Sequence, residues 1–209
     1  MVRFHNRFGI DLAGHLYLPK DFNPERKYAA IAVSGPFGAV KEQSSGLYAQ
    51  EMAKAGFVAV AFDPSFTGES GPENVRFVGS PDLNTEDFSA AVDFLSVQDF
   101  VDPERIGICG WGGMAINAAA MDTRVKATVA STLYDMTRVI ANGYNDAADS
   151  ADVRFEMKKA LNAQRTADYR NGSYDLAGGL PDTLPEDAPQ FLKDYHADRK
   201  STRLNSSHP

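Results

Sequence analysis

The residues with the most chemical promise run from Arg105 to Ala120, RIGICGWGGMAINAAA, where a short β-branched strand passes through a glycine-dense turn into a helix of small residues. A strand-to-helix turn that tight needs glycine to make room for the backbone. Two chemistries use such a turn. A G-x-S-x-G elbow presents a strained serine that can attack an acyl carbon. A G-x-G-x-x-G/A turn aims a helix N-terminus at a pyrophosphate. No serine stands in the turn here. Gly110-x-Gly112-x-x-Ala115 fits the second pattern, with Asp135 about 20 residues further on.

Acyl transfer needs an activated nucleophile, a base, an acid that holds the base, and donors for the oxyanion. Three registers of the elbow are open. If Cys109 and Gly113 frame it, Trp111 takes the serine position; if Ile108 and Gly112 do, Gly110 takes it. If Gly107 opens a G-x-C-x-G pattern, Cys109 is the nucleophile and Trp111 stands in for the closing glycine. Only that last register offers a group that can attack. A thiol at a helix N-terminus can have a lowered pKa and be reactive. The plainer role for Cys109 is a small buried residue finishing a strand. Trp111 cannot attack a carbonyl and would shape or plug a pocket. Asp135 suits a triad acid or pocket residue, and equally the cap of the segment that follows. His5 and His15 fall in an N-terminal hairpin, His196 lies near the end, and His208 in the tail.

These residues need a scaffold to hold them. Val2 to Asn6 and Ile10 to Leu18 read as a hairpin turning at Arg7-Phe8-Gly9. Tyr28 to Ser34 and Phe57 to Asp63 are near-continuous apolar runs, the pattern of strands buried on both faces. Between them Leu47, Met52 and Ala53 recur at helical spacing, and Gly56 ends that helix. Asn84 or Thr85 would cap a helix carrying Phe88, Ala91, Val92 and Leu95. Asp102-Pro-Glu-Arg105 leads into the elbow strand, whose helix runs to about Met121, and Val125 to Ser131 is the next strand. The β-α-β-α-β-α-β order means an α/β fold, a doubly wound and mostly parallel sheet, with an antiparallel hairpin before it. Residues 1–133 form this core. Residues 134–197 mix charged, small and turn-forming residues and read as a helical or irregular, cap-like insertion.

The run from Asp198 to His208 resembles the translation of a sequencing-library adapter. Residues 198–209 are therefore expected to be non-native and the natural sequence to leave view near Ala197.

The 209-residue chain is 43% apolar and 23% charged, enough for one sizeable core, and its net charge of -7 argues against nucleic acid or an anionic membrane as partner. With no 18-residue apolar run, no signal-peptide pattern and a single cysteine, the expectation is a cytoplasmic protein without a membrane partner. Its oligomeric state is not legible. No metal ligand set and no cofactor are expected.

Three pieces in order resemble the α/β-hydrolase superfamily, in its dienelactone-hydrolase and acyl-peptidase-like branch. They are Ser34-Gly-Pro-Phe-Gly38 after the third strand, Asp63-Pro-Ser-Phe-Thr-Gly-Glu-Ser70 after the fourth, and the turn at 107–113. The second matches a D-x-R-G-x-G-x-S turn at Asp63, Gly68 and Ser70. More closely, Gly107-Ile-Cys-Gly-Trp-Gly-Gly113 and Leu133-Tyr-Asp-Met136 look like a bacterial subgroup of uncharacterised α/β-hydrolases. The resemblance implies hydrolysis of an ester, lactone or related acyl substrate, a small molecule. It places oxyanion or substrate contacts at Gly35, Phe37, Gly38, Gly110, Trp111 and Gly112, the candidate nucleophile at Cys109 and the candidate acid at Asp135. In such enzymes the histidine follows an eighth strand, so here it would lie beyond a fold truncated after the sixth. Two other readings stay open: a catalytically inactive hydrolase fold that binds a small molecule, and a nucleotide-binding oxidoreductase using the Gly110 fingerprint. The second is disfavoured because its fingerprint normally follows the first strand of a domain.

Overall fold

The computed structural model describes residues 1–36, 38–73, 75, 78–131, 133, 135–176, 183–190, 192–194 and 197, with Trp111 and Gly112 described by backbone alone. Phe37, His196, His208 and the adapter-like run at 198–209 lie outside the described residues. The chain forms two compact units, residues 1–149 and 150–209. In the sequence the corresponding boundary falls at 133/134, before the short helices that the structure keeps with the first unit.

The first unit is built on a six-stranded sheet: β1 (Val2–His5), β2 (Asp11–Tyr17), β3 (Tyr28–Val33), β4 (Val58–Phe62), β5 (Val101–Trp111) and β6 (Val125–Ser131), in the order β1-β2-β4-β3-β5-β6. β1 and β2 pair antiparallel, as do β2 and β4; the β4, β3, β5 and β6 pairings are parallel. The expected parallel sheet with an antiparallel N-terminal hairpin is the observed one. Asn6 shapes that hairpin as much as Gly9 does. Its carboxamide oxygen accepts from the N–H groups of Phe8 and Ile10, both at 3.0 Å, while Gly9 turns at φ 74°.

Helices α1 (Ser44–Lys54), α2 (Pro81–Ser96) and α3 (Gly112–Met121) cover the sheet. Along β3 and β4 successive side chains enter opposite cores, as the period of two requires. Ala30, Ala32, Val58, Val60 and Phe62 join the cluster of α2 and α3 that holds Phe88, Leu95 and Ala115. Ile31, Val33, Ala59 and Ala61 pack with Ala49 of α1 and with Cys109. The continuous apolar runs therefore reflect strands buried twice over. α2 starts earlier than the cap expected at Asn84 or Thr85: Ser80 is its N-cap residue and Pro81 its first residue. Proline's fixed φ suits that position, which frees Asn84 and Thr85 to be buried inside the helix.

β6 pairs with β5 and with no other described strand, and Lys126 through Ser131 are exposed. After it, α4 (Met136–Asn142) and a single 3-10 turn (Tyr144–Asp146) complete the first unit. The second unit contains α5 (Ala151–Asn171), a 21-residue helix closed by Gly172 in the left-handed conformation at φ 66°. None of the residues of α5 is buried.

Candidate active site

The carboxyl ends of β3, β4 and β5 are where an open parallel sheet binds ligands. Three segments meet this description here: the loop after β3, the turn after β4, and the β5–α3 junction.

At the junction, β5 ends at Trp111 and α3 begins at Gly112. Of the three registers, the one that gives the turn position to Trp111 matches this boundary. Cys109 lies two residues earlier, inside the strand. Its carbonyl accepts from the Ser34 N–H at 3.1 Å and its side chain packs between Val33, Ala49 and Ala61 with 5% of its surface exposed. Burial pushes the thiol's pKa up. The lowered pKa of a thiol at a helix N-terminus is thus absent, because Cys109 is a strand residue facing α1. Gly110 does not have positive φ; a Cβ there would fall 2.5 Å from Phe88 Cζ and 2.9 Å from the Ser34 carbonyl oxygen. Glycine is needed at 110 for close packing of α2 and β3, rather than for a left-handed turn.

The loop after β3 is folded tightly on itself. Ala39 N–H donates to the Pro36 carbonyl at 2.9 Å, and Val40 N–H to the Gln43 carboxamide at 3.1 Å. Gly38 turns at φ 75° with no atom near its missing Cβ, whereas a Cβ on Gly35 would come within 2.9 Å of Ala39 Cβ. Of the expected oxyanion residues, Gly35 and Gly38 therefore shape this loop by two different requirements. Phe37 falls outside the described residues.

This loop is fastened to the turn after β4 by Lys41. The side chain is 1% exposed and Asp63 is 0% exposed. Lys41 Nζ donates to Asp63 at 3.0 Å, to Glu69 at 2.5 Å and is paired with Glu42 at 2.8 Å; its backbone N–H donates to Asp63 Oδ1 at 2.6 Å. Burial by itself would lower the lysine's pKa, but hydrogen bonds to Glu42, Glu69 and Asp63 outweigh it and hold the pKa above the ordinary lysine value. Glu69 is held below the usual carboxylate range by its bond to Lys41; Glu42 is too, against the opposing effect of burial.

Asp63 also accepts from the Glu69 N–H at 3.0 Å, across Gly68 at φ 54°. A Cβ at Gly68 would lie 2.4 Å from the Asp63 carboxylate, so the D-x-x-x-x-G spacing has a steric cause. Ser70 Oγ donates to the Asp63 carbonyl at 2.8 Å and accepts from Ala13 N–H at 2.9 Å, locking the turn to β2. Asp63 and Ser70 thus stabilise their own turn.

A second buried network holds the same turn from the other side. Asp87 of α2 accepts from Ser65 N–H and Ser65 Oγ, both at 2.7 Å, and from Asn6 Nδ2 at 2.9 Å. Burial raises its pKa despite these donors. Ser65 precedes Phe66, a non-glycine residue at φ 63°, so the network anchors a strained backbone. Lys41, Asn6, Ser65 and Asp87 carry no motif in the sequence. Only long-range partners, 22 to 81 positions apart, give them meaning.

The expected triad members are not brought into contact among the described residues. Asp135 is the N-cap of α4: it accepts from Arg138 N–H at 2.9 Å and Thr137 Oγ1 at 2.7 Å, which hold it below its ordinary pKa. His5 is exposed and sits opposite Asp11 in the hairpin. His15 lies 4.0 Å from Glu42 and edge-on to Tyr17. No cluster of three histidine, cysteine or acidic side chains suited to a metal occurs among the described residues. No described helix is long and apolar enough to cross a membrane.

Residues 43–171 match the prolyl oligopeptidase family. An uncharacterized protein of Pseudomonas aeruginosa is 55% identical over 205 residues, covering 93% of this chain and 52% of that protein. A thiohydrolase of Aspergillus aculeatus is 37% identical over 128 residues, covering 60% of this chain and 38% of that protein. The crystal structure of the α/β hydrolase GrgF from a Penicillium species superimposes with a TM-score of 0.72 at 19% identity, covering 100% of this chain and 66% of that one. That likeness establishes the fold, an α/β-hydrolase-like sheet truncated relative to the full form. The chain spans about half the length of the Pseudomonas relative. With its α1-to-α5 stretch matched and its sheet of the hydrolase type, the chain belongs to the prolyl oligopeptidase family.

Proposed function

We propose that the whole protein hydrolyses a small acyl compound, an ester, thioester or lactone, at the carboxyl edge of β3, β4 and β5. The observation that carries this reading is the β5–α3 junction flanked by two clamped loops, on a chain of the prolyl oligopeptidase family. The match to a fungal thiohydrolase adds thioesters to the substrates worth testing. In this reading the loop after β3 and the backbone N–H of Gly112, which opens α3, supply the oxyanion donors. Trp111 stands where the turn would present a nucleophile and cannot attack. Cys109, buried and with its pKa raised, is a packing residue of β5 in this proposal, so the attacking group comes from outside the turn.

The test is turnover of a short acyl thioester and an activated ester by the full-length protein and by its Cys109→Ala variant. Turnover that survives the substitution is expected. Turnover abolished in a variant of unchanged stability would return the nucleophile to Cys109. No turnover of any acyl substrate, in a protein that binds the substrate, would replace hydrolysis by a binding role.

A further inference from the structure

At the opposite edge of the sheet, a cleft of about 410 Å³ opens at the amino ends of β3, β4 and β5. That volume is in the range of small-molecule sites. Five cations line it, Lys20, Arg26, Lys27, Lys54 and Arg105, against one lining carboxylate, Asp21. The chain as a whole carries a net charge of -7, so a cleft lined by five cations and one carboxylate has the opposite sign to the whole chain.

Several of these cations are held in place. The Arg26 guanidinium lies 5.7 Å over the Tyr28 ring, and the Tyr28 hydroxyl accepts from Asn23 N–H at 2.8 Å. Lys27 Nζ donates to the Asp99 carbonyl at 2.5 Å, a neutral partner that leaves its charge unbalanced. Lys54 is braced by Glu51 at 2.6 Å. Arg105 projects from the strand β5, while Lys20 and Arg105 form no ion pair among the described residues. Arg105 on β5, Lys54 on α1 and the ring-stacked Arg26 lose less freedom on binding than untethered surface cations do, while Lys20 and Lys27 stand on the exposed loop before β3. A concave wall with an excess of one sign concentrates its field inward.

We infer that this cleft binds a multiply charged phosphate compound, a diphosphate either free or on an organic group, through Arg26, Arg105 and the three lysines. The paired N–H donors of the two arginines suit phosphate oxygens, and several cations around one cleft favour a ligand with more than one negative charge. This site is separate from the proposed acyl site and does not depend on it.

Calorimetric titration of the whole chain at low salt, with inorganic pyrophosphate and with ADP, reads the inference directly. Saturable one-to-one binding is expected, weakening as salt is added. Arg105→Glu should weaken it by about tenfold or more. Arg7→Glu in the β1–β2 turn, outside the lining of the cleft, makes the same change in net charge and should leave affinity within about twofold. ADP binding more tightly than pyrophosphate assigns an organic diphosphate; equal affinities assign the free anion. Absence of saturable binding by both, or equal losses in the two variants, would overturn the proposal.

Discussion

Replacing Lys41 by methionine keeps the length of the stem and removes the charge. In the structure this strands Asp63, which is fully buried, without its cationic partner. Breaking a buried pair from one side costs about 3–5 kcal/mol, because the remaining charge is uncompensated. Asp63 keeps two backbone donors, the N–H groups of residue 41 and Glu69, so the expectation is the lower end, about 3 kcal/mol. The loss should depend on pH in a defined sense. The folded protein holds Lys41 above its ordinary value of 10.5, so the ion pair contributes fully below that value and fades as pH rises through the raised one. The gap between wild type and Lys41→Met should therefore stay constant from neutral pH up to about that value and narrow above it. Urea unfolding followed by circular dichroism measures it. Glu69→Gln, at a half-exposed partner, should cost much less. A Lys41→Met loss below about 1 kcal/mol, or one that grows with alkaline pH, would refute the reasoning.

Gly110→Ala should lose about 1–3 kcal/mol in the same urea experiment, since its Cβ meets Phe88 and the Ser34 carbonyl; an unchanged midpoint would show that β5 is not packed so closely. Cys109 should react with iodoacetamide at least about a hundredfold more slowly in the folded chain than in urea, given its burial and raised pKa. Mass spectrometry of quenched samples reads that ratio, and equal rates would contradict it. β6 is an exposed edge carrying Val129 at 51% exposure, so the sedimentation coefficient of the chain should rise with concentration and Val129→Lys should suppress the rise. Acidification should weaken the clamp. Glu42 and Glu69 are held below their ordinary pKa, so their contribution is present above about 4.5 and lost as pH falls through the lowered values. A melting temperature in Glu42→Gln/Glu69→Gln that falls on acidification as steeply as in wild type would deny them that role.

Sheet and helices were legible where one physical signal dominated. Tyr28–Val33 and Val58–Phe62 are apolar at every position because both of their faces are covered, and Leu12 and Ala13 mark the hairpin strand that pairs with the second of them. The start of α2 was misplaced because Asn84 and Thr85 look like caps, whereas Ser80-Pro81 already fixes the first turn. α5 was not legible as one long helix, since a helix with no buried residue carries no clear apolar stripe. At the candidate site, glycines and Asp63 were visible through spacing. The groups that fasten them were not: Lys41 resembles any surface lysine until Asp63 and Glu69 are brought beside it, and Asp87 any helical acid until Ser65 and Asn6 meet it. Cys109 was legible by type and not by placement. Its type suggested a nucleophile, and the direction of its side chain, toward α1, put it in the core.

The most direct test of the central claim is the initial rate of thiol release from a short acyl thioester by the full-length protein. Saturable turnover, retained in Cys109→Ala, is the predicted result. A well-folded full-length protein that binds the thioester and releases no thiol above the uncatalysed rate would contradict it.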